Sequence, residues 1–423
     1  MALLVKPYIG CNLKCRYCYE NSYRKKIEKP KLDYNLKAVF KKMEEYKNLD
    51  ISLHGGEILC LPHKDLEALL SKSYEIHKKS SIQTNATLID DKKIALFKKY
   101  NTHVGISWDG PGELSKFRPG SQKVGKIIDK LVKKGVSVSL IMVISKANAG
   151  TKKLRKKLKS FLLDLEKKGI RGGRLNPCLC APGYELSVEK LKEAYLDLAD
   201  FCLKNNLKWS PFYDLVNGLK NKGRVCTFMG CDIFSTESAT VVLGDGSVVN
   251  CMRVNQEYVP LRHPVQYQTR NEILHETPQK YGGCKDCKYW RACYGGCPSA
   301  AIDNDWRNRT YICELWKCLF EFYENIFNHL DIPLPALNNN ARDESRSCYE
   351  GEGHGDEHGD EHGDHDDNAG KASHGDHHDD GRGDGGHGDI PHGDEHGDHD
   401  DNAGKDGHGD EHGDEHGDEH GDC

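Results

Sequence analysis

The chain has 423 residues, with 60 basic and 65 acidic side chains and a formal net charge of -5. That length allows two domains with cores of their own, and the near-balance of charge gives no general attraction to nucleic acid or to an anionic membrane. No run approaches the roughly 20 apolar residues that cross a bilayer, and the N-terminus lacks the features of an export signal. We therefore expect a cytoplasmic protein that binds neither nucleic acid nor membrane. Its 18 cysteines are then expected to ligate metal or clusters rather than to form disulfides.

Short β-type runs alternate with longer amphipathic stretches over residues 1–208. Strands are predicted at Leu3–Tyr8, Ile51–His54, Ser81–Thr84, His103–Trp108, Ser137–Ile144 and Gly173–Cys178. Helices are predicted at Tyr34–Lys47, Lys64–Lys79, Asp91–Tyr100, Ser121–Lys134, Thr151–Lys168 and Ser187–Leu207. Their lysine-rich outer faces and apolar inner faces suit helices packed on a sheet. Six β–α units in series predict an α/β fold, a partial (β/α)6 barrel with its chemistry at the carboxyl ends of parallel strands.

Residues 209–337 differ in character, because helical periodicity weakens and glycine and cysteine cluster. A hairpin is predicted with strands Ala239–Leu243 and Ser247–Cys251 around a Gly-Asp-Gly turn, and a helix is predicted over Tyr311–Leu330. The region has too few apolar residues to be held by packing alone. Bound clusters would supply the missing stability of this second domain.

Residues 338–423 form a low-complexity tail of Gly, His, Asp and Glu, in which the unit HGDEHGDHDDNAGK occurs at His358–Lys371 and again at His392–Lys405. Since it has almost no apolar side chains, we predict that the tail is disordered. Interleaved imidazole and carboxylate groups suit Ni or Zn, which indicates a metal reservoir. Two alternatives are a substrate-like peptide fused in cis between Cys348 and Cys423, and a repeat expansion without a role.

Cys11, Cys15 and Cys18 form a C-x3-C-x2-C loop just after the first predicted strand. Three thiolates can hold three irons of a four-iron cluster and leave the fourth iron open to a chelating ligand. Zinc is the alternative, but a structural zinc site takes four protein ligands. The loop, with Tyr17 before its last cysteine, resembles that of the radical S-adenosylmethionine (SAM) superfamily.

Short polar motifs end the next three predicted strands, in the order in which the superfamily places them. The resemblance implies a [4Fe–4S] cluster that binds SAM, reductive cleavage of SAM to a 5′-deoxyadenosyl radical, and removal of a hydrogen atom from a substrate. Glycines after the second strand would let a backbone carbonyl approach the SAM amino group, and the glutamate beside them would take its charge. The implied SAM-side residues are Gly55, Gly56, Glu57, Thr84, Asn85, Ser107 and Asp109.

Eight later cysteines follow the pattern C-x4-C-x14-G-x4-C, then C-x2-C-x5-C-x3-C and one further cysteine. With Gly246 and the segment Tyr294–Pro298, this pattern resembles the SPASM domain, the auxiliary-cluster extension of peptide-modifying radical SAM enzymes. The resemblance assigns one auxiliary [4Fe–4S] cluster to Cys226, Cys231, Cys251 and Cys297, and another to Cys284, Cys287, Cys293 and Cys313. Two four-thiolate zinc sites would use the same residues.

The remaining cysteines have milder interpretations. Cys202 belongs to a helix core, and Cys60 is a loop or packing thiol. Cys178 and Cys180 are taken as partly buried thiols, with an active-site position as the alternative. Cys318, five residues after Cys313, is left outside the two clusters, with a spare helix cysteine as its alternative to a ligand.

The resemblance implies a peptide or protein substrate, with a crosslink, a thioether or an oxidation as product, and an electron donor such as ferredoxin or flavodoxin. Members that make formylglycine in sulfatases carry an acidic base directly after the third cysteine of the SPASM domain. Met252 stands at that position here, which counts against formylglycine formation. The competing hypothesis is a metal-handling or redox iron–sulfur protein whose tail delivers Ni or Zn.

Overall fold

The computed structural model describes residues 2–21, 32–220, 229–231, 239–249, 251 and 269–334. The chain divides into two units, Met1–Tyr349 and Glu350–Cys423, and every described residue lies in the first. The prediction of a disordered tail falls outside the described residues. None of the helices within those residues combines the length and the apolar character that crossing a bilayer requires.

A nine-stranded sheet runs through the described residues in the order β7-β6-β5-β4-β3-β2-β1-β8-β9. The strands are β1 (Ala2–Lys6), β2 (Asp50–Leu53), β3 (Ser80–Thr84), β4 (Thr102–Ser107), β5 (Val138–Ile144), β6 (Gly172–Pro177), β7 (Lys208–Ser210), β8 (Thr240–Leu243) and β9 (Val248–Val249). Neighbouring strands from β7 through β8 pair in parallel, and β8 and β9 pair antiparallel. The predicted α/β fold is confirmed, with the first six strands side by side in chain order.

The helices within the described residues are α1 (Leu36–Glu45), α2 (His63–His77), α3 (Asp91–Lys99), α4 (Val124–Lys133), α5 (Lys146–Ala149), α6 (Lys152–Lys167), α7 (Val188–Lys204), α8 (Phe212–Leu219), α9 (Arg270–Glu276), α10 (Trp290–Cys293) and α11 (Cys313–His329). Helices α1 to α8 lie between successive strands of the chain, and α9 to α11 follow the last strand. Side chains at Asn35, Asp90, Thr151 and Ser187 each accept a hydrogen bond from a backbone N–H in the first helical turn. These caps explain why the helices begin where they do.

The two faces of the sheet differ in polarity because side chains alternate along each strand. Leu140, Met142 and Ile144 of β5 are fully buried in the hydrophobic core that the helices complete. The opposite face carries hydrogen-bonded polar groups, among them Gln83, whose Nε2 donates to Ser107 Oγ over 2.8 Å. The core therefore lies between sheet and helices, and the polar inner face leads to the carboxyl ends of the strands.

The sheet extends beyond the six predicted strands at both edges. β7 has only three residues, too few to show a period-2 pattern. The predicted hairpin is confirmed, but β8 pairs in parallel with β1, from Leu3↔Thr240 to Lys6↔Leu243. A segment assigned by sequence to the second domain thus completes the sheet of the first.

Leu140→Ala should lower the free energy of unfolding by about 2–5 kcal/mol, because it empties a fully buried position between sheet and helices. Leu203→Ala is the matched control, since Leu203 is 50% exposed on α7 and its loss should cost no more than about 0.5 kcal/mol. Denaturant unfolding followed by circular dichroism compares the two variants. Equal costs would contradict the position of the core.

Candidate active site

The cysteine loop lies where the carboxyl ends of β1 to β4 meet, directly after β1. It has little regular structure, so its shape depends on contacts to its neighbours. The N–H of Arg16 donates to the carbonyl of Phe117 over 2.9 Å, and Asn21 Nδ2 donates to the carbonyl of Cys15 over 3.0 Å. Cys15 is buried, while Cys11 and Cys18 are half-buried.

Two glycines after β2 let the chain pack directly on the backbone before the cysteine loop. A Cβ on Gly56 would lie 2.1 Å from the carbonyl oxygen of Ile9, and one on Gly55 would lie 2.5 Å from that of Tyr8. Neither position has room for a side chain. The N–H of Gly56 donates to the Tyr8 carbonyl over 3.0 Å. In the structure the glycines therefore serve this backbone contact as well as any approach of SAM.

Glu57 joins the ends of β2 and β3 and is almost fully buried. Its carboxylate accepts hydrogen bonds from Thr84 Oγ1 at 2.6 Å, from the Asn85 N–H at 2.7 Å and from the Leu59 N–H at 3.1 Å. Burial raises the pKa of Glu57 above its ordinary range, against the effect of these donors. Both carboxylate oxygens accept hydrogen bonds from the chain itself, and the expected contact of Glu57 with the SAM amino group stays a prediction.

Asn85, directly after β3, connects that strand to the cysteine loop. Its Nδ2 donates to Asn12 Oδ1 over 2.9 Å and lies 3.8 Å from the sulfur of Cys11. Thr84, by contrast, points its hydroxyl at Glu57. Of this predicted pair, Asn85 is the one that reaches a cysteine thiol.

Asp109, after β4, is buried and anchors the last part of the cysteine loop. Its Oδ1 accepts from the Val143 N–H at 2.9 Å, and its Oδ2 accepts from the Tyr17 hydroxyl. Arg118 Nε lies 3.6 Å from Oδ2. Asp109 thus has partners in the chain at both oxygens, and its expected role toward ribose or substrate stays a prediction. Ser107 Oγ accepts from Gln83 Nε2 on the inner face.

Arg118 is a site residue that sequence reasoning missed. Its side chain is buried, its Nη1 lies 3.7 Å from the sulfur of Cys15, and its guanidinium stacks 5.5 Å from the centre of the Tyr17 ring. Burial raises the pKa of Cys15 to about 11, Arg118 opposes that rise, and Cys18, Asp109 and Cys11 add to it. The sequence feature that could have indicated it is that Arg118 is the single arginine in a loop otherwise rich in lysine and glycine.

A buried ion pair, also missed from sequence, fixes the end of the cysteine loop to β1. Lys6 Nζ and Glu20 Oε1 lie 2.5 Å apart, and the two side chains are 3% and 6% exposed. Lys6 also lies 5.7 Å from the centre of the Tyr19 ring. The cost of taking both charges out of water offsets much of their attraction, so the pair mainly fixes the geometry of the loop. Removing one partner would leave the other charge buried and unpaired.

The loop fits a cluster with three thiolate ligands. Each of two thiols has a nitrogen donor near it, Arg118 at Cys15 and Asn85 at Cys11, and such donors stabilise the anionic sulfurs of an iron–sulfur site. Across the described parts of the chain, no three His, Cys, Asp or Glu side chains are close enough to hold a single metal ion.

Four other cysteines line one small cavity together with aromatic side chains. They are all buried, and they are Cys284, Cys287, Cys293 and Cys313. Burial raises the pKa of Cys284 to about 12, and the neighbouring thiols add to that rise. The structure therefore brings together the four residues that the SPASM resemblance grouped.

The other predicted group is described in part. Cys231, Cys251 and Cys297 are half-buried, and Cys226 lies outside the described residues, as does Met252. The Gly230 N–H, beside Cys231, donates to the Cys293 carbonyl over 2.7 Å. This contact joins the loop of one group to the loop of the other.

The remaining described cysteines occupy distinct surroundings. Cys202 is buried in α7, Cys178 is buried after β6, and Cys318 is half-buried on α11. Cys180 is exposed, and its thiol donates to the Ser299 carbonyl over 3.2 Å. Burial raises the pKa of Cys60 to about 11, and the Glu57 and Cys11 groups contribute. Cys348 and Cys423 lie outside the described residues.

Residues 5–158 match the sequence model of the Radical SAM superfamily. The cysteine-type anaerobic sulfatase-maturating enzyme of Clostridium perfringens (strain 13 / Type A) is 24% identical over 361 residues, which cover 76% of this chain and 96% of that protein. The serine-type anaerobic sulfatase-maturating enzyme of Bacteroides thetaiotaomicron is 26% identical over 399 residues, covering 80% and 92%.

Solved structures share the fold. The structure of anSMEcpe with bound AdoMet has a TM-score of 0.60 at 23% identity and covers 78% of this chain and 98% of that one. Streptococcus suis SuiB bound to S-adenosylmethionine has a TM-score of 0.51 at 17% identity, covering 74% and 77%.

With the cysteine loop and the strand-end motifs in place, these matches support a radical SAM domain over residues 5–158 and an enzyme of the peptide-modifying radical SAM type. The family uses a [4Fe–4S] cluster with SAM, as predicted. Within the superfamily, the chain aligns over most of its length with anaerobic sulfatase-maturating enzymes of both the cysteine and the serine type. The competing hypothesis of a metal-handling or redox protein is not favoured.

Arg118→Gln should reduce iron at the cysteine loop and slow SAM cleavage by more than about tenfold, because it removes the cation beside Cys15 and Asp109. Arg171→Gln is the control, since Arg171 is 82% exposed. Iron content and 5′-deoxyadenosine release after anaerobic reconstitution measure the effect. Wild-type values in Arg118→Gln would rule out this role.

Proposed function

We propose that the chain is a radical SAM maturase that modifies a peptide or protein. The arrangement of Cys11, Cys15 and Cys18 at the meeting point of four strand ends carries this proposal. It is supported by the sulfatase-maturating relatives and by the fold shared with anSMEcpe, of which one structure holds bound AdoMet and a Kp18Cys peptide.

The first 208 residues would form the catalytic domain. Cys11, Cys15 and Cys18 would hold the cluster, with Asn85 and Arg118 directed at two of the sulfurs. When bound, the cluster and SAM supply a 5′-deoxyadenosyl radical that removes a hydrogen atom from the substrate.

The remaining SAM-side residues would act largely through position. Gly55 and Gly56 expose backbone close to the loop, and Ser107 offers a hydroxyl on the inner face. Glu57 and Asp109 hold the strand ends in register around the loop, since their oxygens are bonded to the chain itself.

Residues 209–337 would form a domain with two auxiliary [4Fe–4S] clusters. The cavity lined by Cys284, Cys287, Cys293 and Cys313 supports one of them directly. The other would be held by Cys226, Cys231, Cys251 and Cys297. This assignment is the less complete of the two because Cys226 lies outside the described residues. An auxiliary cluster can take the electron that an oxidised substrate radical gives up.

One residue, Met252, limits which product we expect. We propose a crosslink, a thioether or another oxidation of a peptide, because Met252 replaces the acidic base that formylglycine formation would use. Electrons for SAM cleavage would come from a ferredoxin or flavodoxin in the cytoplasm.

Cys15→Ala should abolish 5′-deoxyadenosine release while leaving most auxiliary iron in place, because it removes only a ligand of the cysteine loop. Cys202→Ala is the matched control, since Cys202 is a buried thiol of α7 with no proposed ligand role. Reductive SAM cleavage and iron content are measured with anaerobically reconstituted protein. Absence of 5′-deoxyadenosine from the wild-type chain, even with candidate peptides, would refute the proposed function.

The His-rich tail is proposed to hold Ni or Zn as a reservoir, because 15 of the 22 histidines lie after residue 350 among Asp and Glu. Deleting residues 346–423 should remove nickel or zinc binding and leave turnover unchanged. Equilibrium dialysis with each metal and a peptide turnover assay test this prediction. Loss of turnover with the tail would instead favour a substrate-like tail in cis.

A further inference from the structure

Arg270, the first residue of α9, is fully buried beside the four-cysteine cavity. Its guanidinium donates to backbone carbonyls at Trp306 (2.7 Å), Asn308 (3.0 Å), Tyr294 (3.3 Å) and Gly295 (3.5 Å). Arginine keeps its charge when buried. These carbonyls accept from four of its five N–H donors and hold a permanent positive charge at a fixed position.

Two glycines show how close this charge lies to both auxiliary groups. A Cβ on Gly295 would lie 3.6 Å from Arg270 Nη2 and 3.5 Å from the sulfur of Cys284. A Cβ on Gly230 would lie 2.8 Å from Arg270 Nη1, and Gly230 directly precedes Cys231. The guanidinium therefore lies between the loop of Cys231 and the four-cysteine cavity.

Two further cations approach the same cavity. Lys317 is one of its lining residues, and its Nζ donates to Gln279 Oε1 over 2.9 Å and lies 3.5 Å from Glu314. Arg309 donates through Nη2 to the Gln279 carbonyl, and its buried Nε has no hydrogen-bond partner among the described residues. Arg309 and Lys317 thus meet at Gln279, beside the cavity.

We propose that Arg270, supported by Arg309 and Lys317, raises the reduction potential of the auxiliary cluster in this cavity, so that it accepts an electron from the oxidised substrate. This inference rests on the proposed function. A four-thiolate cluster is an anion whose charge becomes more negative by one on reduction. A fixed cation in a water-poor setting stabilises that added charge.

The reduction potential of this cluster matters because the proposed reaction requires an electron acceptor. The peptide first gives a hydrogen atom to the 5′-deoxyadenosyl radical, which becomes 5′-deoxyadenosine. It then gives one electron to the cluster site and one proton to solvent, which completes a two-electron oxidation. Arg270 touches neither substrate nor reacting atoms, so it is a positioning residue that acts through the field at the cluster.

The test is a redox titration, followed by electron paramagnetic resonance, of the full chain with Cys11, Cys15 and Cys18 replaced by Ala. The signal that Cys313→Ala removes identifies the cluster of the cavity. Arg270→Gln should lower the reduced-to-oxidised ratio at a fixed poise by at least about tenfold, or about 59 mV for a one-electron couple. Arg270→Lys should recover most of that loss.

The double variant Arg309→Gln/Lys317→Gln should shift the potential of the same signal in the same direction. It tests the inference if Arg270→Gln does not assemble the cluster. Arg307→Gln is the control, since its side chain is 60% exposed and paired with Asp305. An unchanged potential in the charge-removing variants, or equal shifts for Arg270→Lys and Arg270→Gln, would overturn the inference. If Cys313→Ala removes neither iron nor a signal, the auxiliary cluster itself is wrong and the inference falls with it.

Discussion

The active site depends on a loop that cannot hold its own shape. The segment from Cys11 to Cys18 has little regular structure, and its three thiols are placed by contacts from four neighbouring strand ends. Parallel pairing of β1 to β4 brings those ends to one edge of the sheet. Asp109 and the backbone packed on Gly55 and Gly56 then fix the loop against that edge.

The two kinds of cysteine site differ in where cationic side chains lie and in how deeply the thiols are buried. At the loop, Arg118 and Asn85 lie beside two of the sulfurs, and Cys11 and Cys18 are half-buried. The four thiols of the cavity are all buried among aromatic side chains, Lys317 lines the same cavity, and Arg270 lies behind Gly295. A half-buried site suits binding of SAM, whereas a buried and largely apolar one suits storage of an electron.

Sequence reasoning reached the fold because its signals are local. Helix periodicity, caps such as Asn35 and Thr151, and strand runs located the six β–α units to within a few residues. The cysteines that belong together were grouped through the family resemblance of their spacing, and the structure brings together the four at Cys284, Cys287, Cys293 and Cys313. β7 was missed because three residues carry no pattern, and the pairing of β8 with β1 is a choice of partner that spacing does not reveal.

The partners of the charged site residues were the least predictable part. Glu57 and Asp109 looked available for SAM, but tertiary contacts engage both carboxylates. Arg118 lies 103 residues from Cys15, and Lys6 and Arg270 meet partners beyond their own strand or helix, so no local sequence pattern predicted these contacts. Their roles depend on burial, which only the assembled fold defines.

The pairing of β8 with β1 has a consequence for how the molecule can be divided. A chain that stopped at residue 208 would leave β1 as an open sheet edge, with unpaired backbone donors and acceptors exposed to other chains. That edge lies directly before the cysteine loop, so strand exchange there would distort the loop. Residues 1–208 therefore depend on β8 to cover one edge of their sheet, and truncation at residue 208 is expected to favour aggregation through that edge.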